Sequence, residues 1–318
     1  MALMMPKPEE EILANRDRLI ERLRDFLPAE SVIDNETTRR AYECDALTMY
    51  RQLPLVVVLP ETVEQVSKVM ALANEMNVKV VPRGAGTSLS GGSLPLGDGI
   101  LLGMGKFNRV LEVDVANRCA RVQPGVANLA ITKAVEHLGF YYAPDPSSQI
   151  ACSIGGNVGE NAGGVHCLKY GLTTNNLLGL QVVLMDGEII ELGGKHLDSE
   201  AYDLMGLMTG SEGLLGVITE VTVRILQKPQ TARGMLMGFP SLDDGANCVA
   251  DIIAAGIIPS GLEMMDNMAI IAADDFQACG YPRDAESLLI CELDGTASEV
   301  DHLIERVSEI AGRNNATT

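Results

Sequence analysis

Basic residues are scarce in this 318-residue chain: 24 Lys and Arg stand against 43 Asp and Glu, a formal net charge of −19. A surface of that sign repels phosphate backbones and anionic headgroups, which argues against nucleic acid as a partner. Cysteine is unpatterned as well. The seven (Cys44, Cys119, Cys152, Cys167, Cys248, Cys279 and Cys291) include no Cys-x-x-Cys spacing, so neither a disulfide framework nor a zinc knuckle is indicated, and a reducing cytosol fits best. Long apolar runs are missing: Met1–Glu11 carries three consecutive glutamates and no apolar signal segment, and Leu53–Leu59 is interrupted by Pro54. Neither a signal peptide nor a membrane span is expected. Internal repeats and low-complexity tracts are also lacking.

What the chain does have is apolar content, 47%, enough for a sizeable core at a length near two domains, and 32 glycines, about one residue in ten. That exceeds the usual ~7% without a collagen period, so the glycines serve local backbone needs. Helical spacing of Ile12, Leu19, Ile20, Leu23, Phe26 and Leu27 predicts an amphipathic helix over 8–27. Strand Leu55–Leu59, a helix from Val63 to Met76 and strand Val78–Val81 form a β-α-β unit, whose strands should be parallel neighbours or near neighbours. Short strands at Ile100–Met104, Val110–Val113 and Ala120–Gln123 precede a helix over Val126–Leu138. Pro144–Gly171 lacks regular periodicity and is too long for an ordinary connection. Leu180–Met185 and Glu188–Leu192 flank Asp186-Gly187, a two-residue hairpin signal with positive φ at both positions, and Leu214–Ile225 reads as a further strand. From about Thr231 strands Met235–Phe239, Gly261–Met265 and Leu288–Leu293 alternate with helices Leu242–Ala255, Ala269–Ala278 and Ser298–Ile310, ending in the polar tail 312–318. That is a second α+β domain, and its few strands read as an incomplete one.

Three glycine-bearing stretches carry candidate chemistry. Directly after a predicted strand comes Pro82-Arg83-Gly84-Ala85-Gly86-Thr87-Ser88-Leu89-Ser90-Gly91-Gly92, where residues without Cβ let several N–H groups converge on an anion such as a diphosphate. Spacing excludes two familiar nucleotide motifs. The last glycine of a Gly-x-Gly-x-x-Gly fingerprint counted from Gly84 falls on Leu89, and a P-loop ending at Gly105-Lys106 would need glycine at Ile100 and a hydroxyl residue at Phe107. The second stretch holds Pro144-Asp145-Pro146-Ser147-Ser148, Cys152-Ser153-Ile154-Gly155-Gly156-Asn157 and Asn161-Ala162-Gly163-Gly164; the third is Gly210-Ser211-Glu212-Gly213-Leu214-Leu215-Gly216-Val217-Ile218. A solvated loop or an ordinary turn is the simpler reading of each alone, although Cys152 and Ile154 suit a buried setting.

Taken together, the three stretches resemble the flavin domain of the FAD-linked oxidases related to vanillyl-alcohol oxidase and p-cresol methylhydroxylase (PCMH), and most resemble the FAD-binding subunits of bacterial glycolate oxidases. Gly261-Leu262-Glu263-Met264-Met265-Asp266-Asn267 extends the likeness into the second domain. The resemblance implies an α+β fold: an N-terminal helical segment (1–48), a PCMH-type FAD-binding domain of two α/β subdomains (49–230), and the start of a ferredoxin-like substrate or cap domain (231–318). It implies that Arg83, Gly84, Ala85, Gly86, Thr87, Ser88, Gly91 and Gly92 surround the FAD pyrophosphate. Pro144, Ser148, Ser153, Gly155, Gly156, Asn157 and Gly163 would line the ribityl and ring portions, and Gly216 and Ile218 would contact the cofactor through backbone atoms.

Covalent relatives attach flavin through a histidine in or near the first loop; residues 82–92 hold none, so noncovalent FAD is implied, with Cys152 the one exception to keep in view. The implied activity is oxidation of a small 2-hydroxy acid, glycolate or D-lactate, to the 2-oxo acid. The implied partners are a second flavin-type subunit and an iron–sulfur subunit, in the cytoplasm or at the inner face of the membrane. Relatives carry a His-rich Gly-Asp-Gly-Asn motif that this sequence lacks, so a flavin-binding module without turnover is the alternative expectation, and no catalytic residue is assigned. His137, His166, His196 and His302 are isolated; only His166, inside a flavin-loop motif, is a candidate for contact near cofactor or substrate, and a structural role is the preferred reading. Asp243-Asp244 and Asp274-Asp275 suit helix ends better than a metal, and Met264, Met265 and Met268 read as core filling.

Overall fold

A computed structural model describes residues 5–196 and 202–317. Met1–Met4 of the N-terminal stretch and Thr318 of the polar tail lie outside them. The chain divides into two units, the first comprising 1–142, 146–162 and 172–226, the second 143–145, 163–171 and 227–318.

Two large sheets build the first unit. One has strands β1 (Val32–Ile33), β2 (Val56–Val58), β3 (Lys79–Arg83) and β4 (Gly99–Gly103) in the order β1-β2-β4-β3. β2 and β3 both run parallel to β4, so the expected β-α-β strands are near neighbours with β4 between them. Their apolar runs are continuous because both faces are covered: Val56, Val58, Ile100 and Leu102 enter one core, Val57 and Leu101 another. The crossover helix Val63–Glu75 starts on a Thr62–Gln65 capping box and buries Val66, Val69, Met70, Leu72 and Ala73.

The other sheet is antiparallel, with β5 (Val110–Asp114), β6 (Cys119–Val122), β7 (Leu177–Val183), β8 (Ile189–Gly193) and β9 (Val217–Arg224) in the order β5-β6-β9-β7-β8. Strict alternation along β9 puts Val217, Thr219, Val221 and Val223 inside. That inner face meets helices Asn128–Val135 and Ile154–Glu160 in one core.

Four expectations change in detail. The helix expected over 8–27 is two, Glu10–Ala14 and Arg16–Arg24, broken where the Asn15 side chain donates to Glu11 O at 2.9 Å. The β7–β8 hairpin turns on Gly187 alone (φ 89°), with Gly187 N–H donating to Leu184 O and Leu184 N–H to Glu188 O. That is a three-residue loop with a glycine bulge, so Asp186 does not need positive φ. The aperiodic stretch 144–171 contains a true helix at Ile154–Glu160. Met265 packs beside Ile270, but Met264 and Met268 are exposed, so only one of the three methionines fills core.

In the second unit, β10 (Thr231–Phe239), β11 (Gly261–Asp266) and β12 (Ser287–Gly295) form an antiparallel sheet in the order β10-β12-β11. Helices Leu242–Ala254 and Ala297–Arg313 share a core with Leu289, Cys291 and Leu293. The alternate residues of β12, Ile290, Glu292 and Asp294, therefore belong to the opposite face. Asp244 and Asp274 occupy helix ends, Asp244 on Ser241 and Asn315, Asp274 on Arg283 and the Gly280 N–H.

Candidate functional site

All three glycine-bearing turns meet within the first unit. The first leaves β3 at Arg83. A Cβ on Gly84 would run into Ser153 Oγ and lie 3.6 Å from Gly156 N, so the first turn lies directly against the second and a side chain at 84 would displace the Ser153 hydroxyl. The third turn is tied to the second by hydrogen bonds, Gly210 N–H to Val158 O at 2.8 Å and Glu212 N–H to Gly159 O at 2.9 Å. It reaches the first as well, for a Cβ on Gly213 would collide with the Pro82 ring and one on Gly92 would lie 2.7 Å from Glu212 Oε2. The second turn is anchored from below: Ile154 N–H donates to Val126 O, Gly155 N–H to Pro124 O and Asn128 N–H to Cys152 O. Buried Cys152 and Ile154 and the buried Asn157–Asn128 side-chain bond at 2.8 Å complete that anchorage.

The polar groups at this meeting point are unevenly satisfied. Among the described residues no acceptor takes the backbone N–H groups of Gly84, Ala85, Gly86, Thr87 and Ser88, five in succession. Ser153 precedes a helix yet makes no capping bond, and its buried Oγ has no partner. Of these groups the Ser153 Oγ is buried, and a buried polar atom without a partner is rare and costs about 1–3 kcal/mol; the Gly84–Ser88 amides line the partly exposed loop beside it, where an acceptor can reach them. The residues fit a dinucleotide's diphosphate, because amide and hydroxyl donors bind it without a fixed cation.

Arg83 is placed differently. Its buried guanidinium donates to Ser93 O (3.1 and 2.6 Å) and Tyr42 O (3.2 Å), holding both ends of the loop rather than facing outward; burial lowers its pKa, opposed by Asp45. At the far end of the loop Glu160 and Glu212 stand beside Gly92, and Ser90 Oγ donates to Glu160. An anion is therefore favoured at the 84–88 end and repelled from the 91–92 end. Ser148 gives its carbonyl to the N–H groups of Ala151 and Cys152. Gly216 packs against Val182 and Val183 at the start of β9, and Ile218 is paired with Val182. Pro144 and Gly163 fall in stretches that belong to the second unit.

A second polar cluster, unassigned from sequence, lies in that unit. His166 Nδ1 is 2.6 Å from Asp145 Oδ2 and its Nε2 3.3 Å from Glu292 Oε1. The bond to Asp145, reinforced by both carboxylate charges and opposed by burial, pushes its pKa up to about 9. Asp294, buried, accepts from Lys169 Nζ and, at 2.5 Å, from Tyr170 OH. The sequence signal was the pair Glu292 and Asp294, two charges at alternate positions of an otherwise apolar strand.

Comparison with known proteins agrees on one family. Residues 54–193 match the FAD binding domain and residues 228–318 the C-terminal domain of FAD linked oxidases. The chain is 54% identical to glycolate oxidase subunit GlcD of Escherichia coli over 95% of its own length and 61% of that protein's. It is 40% identical to the Bacillus subtilis GlcD over 91% of its length and 62% of that protein's, and 32% identical to a D-lactate dehydrogenase of Anaerostipes hadrus over 92% and 63%. It thus spans about three-fifths of the length of these curated relatives. Among solved structures it shares the fold of alkyldihydroxyacetonephosphate synthase (TM-score 0.80, 21% identity, 99% of this chain and 61% of that one). It also shares that of Physcomitrella patens BBE-like 1 (TM-score 0.70, 20% identity, 94% and 61%).

Proposed function

The chain belongs to the FAD-linked oxidases, and from that premise we propose that it is the FAD-binding part of an enzyme oxidising a small 2-hydroxy acid, glycolate or D-lactate, to the 2-oxo acid. The observation that carries this reading is the run of five unpartnered N–H groups, Gly84–Ser88, beside the unpartnered Ser153 hydroxyl. FAD, when bound, supplies the two-electron acceptor for the substrate's Cα hydride.

The chain's own residues divide the remaining work. Gly84, Ala85, Gly86, Thr87 and Ser88 offer backbone donors to the diphosphate, and Ser153 adds its hydroxyl. Arg83 keeps the loop in shape, and Gly91 and Gly92 return the chain past Glu160 and Glu212. Gly155, Gly156 and Asn157 hold the second turn close, and Gly216 and Ile218 present backbone to the cofactor. Ser148, Pro144 and Gly163 join this set on the family likeness. The net charge of −19 does not oppose binding, because donors at contact distance outweigh charges screened over ~10 Å. Attachment is noncovalent, as the loop 82–92 holds no histidine. His166 is not assigned as the proton acceptor for the substrate hydroxyl, because both of its ring nitrogens are engaged, by Asp145 and by Glu292.

The printed name of the two glycolate oxidase relatives, a subunit, supports assembly with further subunits; that these are of flavin and iron–sulfur type rests on the family resemblance alone. Among the described residues no helix is long and apolar enough to cross a membrane; a cytoplasmic location, or a peripheral one at the inner face of the membrane, is placed here on the family resemblance. The test is to purify the chain, load it with FAD, and add glycolate or D-lactate with a dye acceptor. A yellow protein that bleaches and reduces the dye is expected. Bound FAD without bleaching removes the substrate assignment, and a protein that stays colourless after soaking in FAD removes the cofactor site as drawn.

A further inference from the structure

Two short stretches, Ala143–Asp145 and Gly163–Gly171, leave the sequence neighbourhood of the first unit and belong to the second. Both are fastened there by charge. Asp145 accepts from the His166 backbone N–H (3.2 Å) and pairs with its ring Nδ1 (2.6 Å), while the other ring nitrogen reaches Glu292 on β12. One turn on, Lys169 donates to both the carbonyl (2.9 Å) and the carboxylate of Asp294, and Tyr170 to the other carboxylate oxygen. Packing follows the same path. A Cβ on Gly164 would collide with Asp145, and one on Gly261 of β11 would lie 2.9 Å from Val165. Helices Leu242–Ala254 and Ala297–Arg313 cover one face of the sheet, so alternation along β12 sends Glu292 and Asp294 to the other face, where this segment lies and where helix Asn267–Phe276 covers the Leu288 end.

We propose that His166 is a positioning residue: as an imidazolium between Asp145 and Glu292, with Lys169 and Tyr170 on Asp294, it closes an electrostatic clasp that fixes both stretches on the face of the second unit's sheet opposite helices Leu242–Ala254 and Ala297–Arg313. Asp145, Glu292 and Asp294 outnumber Lys169, and Glu263 of β11, opposite Ile290, adds a further carboxylate on the same sheet face diagonal to Glu292. The balance keeps the imidazole protonated and makes this a poor place for a substrate carboxylate. Because the folded pKa lies above the ordinary histidine value of ~6.5, the clasp is at full strength below that value and is lost as pH rises through about 9.

Its consequence for the cofactor rests on the reading given under the proposed function, since Pro144 and Gly163, which ride on the two stretches, are there taken to line FAD. The clasp itself does not depend on it. The test uses the whole apoprotein. Titration of the His166 ring by NMR should give a midpoint well above 8, and hydrogen exchange in 163–171 at pH 7 should rise at least tenfold in His166→Gln. His166→Arg, which keeps a cation, should restore slow exchange. A ring midpoint near 6.5, or exchange unchanged in folded His166→Gln, overturns the clasp; if that variant does not fold, the wild-type titration decides. FAD affinity of His166→Gln should fall about fivefold, and unchanged affinity overturns the link to the cofactor. Failure of the wild type to bind FAD would remove the functional reading while leaving both apoprotein measurements decisive for the clasp.

Discussion

The two polar clusters of this chain differ in one respect that separates a binding place from a structural one. At the three-turn junction of the first unit, five backbone N–H groups and the Ser153 hydroxyl stand without acceptors. In the second unit His166, Lys169, Tyr170, Asp145, Glu292 and Asp294 are all engaged with one another. The buried Ser153 hydroxyl carries the cost of an unmade hydrogen bond and the five amides, on a partly exposed loop, stay open to an acceptor, whereas the groups of the second cluster have their partners within the fold. Unpartnered groups therefore point to a ligand, and mutually satisfied ones to architecture.

The comparison breaks most readily at Gly84. Gly84→Ala places a Cβ on Ser153 Oγ, and FAD affinity should fall at least about 100-fold, roughly 2.7 kcal/mol; Gly84→Ala combined with Ser153→Ala should recover part of it, measured by quenching of flavin fluorescence. In the satisfied cluster the loss should appear as stability instead. Asp294→Ala leaves Lys169 and Tyr170 without their acceptor and should lower the second unit's unfolding free energy by about 2–3 kcal/mol in urea, with FAD affinity less affected. Ser153→Ala sharpens the contrast: affinity should drop about tenfold, while the apoprotein, relieved of a partnerless buried hydroxyl, should be no less stable. Least affected should be Arg121→Ala, which removes an exposed pair with Glu220 and should shift the urea midpoint by less than about 0.5 kcal/mol equivalent.

Much of this was legible in the amino-acid order. The apolar run Leu288–Leu293 and the helical spacing from Val63 give strands and helices close to those observed, because burial on both faces leaves a continuous run and burial on one leaves a period. The glycine turns could be found for a similar reason: a residue without Cβ is conspicuous where the chain must come close. Three things were not legible. The helix Ile154–Glu160 carries three glycines, poor helix formers, and only Ile154 and Val158, four apart and both buried, betray it. The inward turn of Arg83 depends on where Ser93 and Tyr42 carbonyls come to rest, which no local pattern encodes. The His166 cluster joins residues up to 126 positions apart, so its partners emerge only with the sheet register.

The most direct test of the unpaired-donor account is to titrate the purified apoprotein with FAD and, separately, with riboflavin, which has the flavin ring but no diphosphate. Binding of FAD at least about 100-fold tighter than riboflavin, roughly 2.7 kcal/mol, is the predicted result; equal affinities would contradict the claim that the Gly84–Ser88 amides are there to hold a diphosphate.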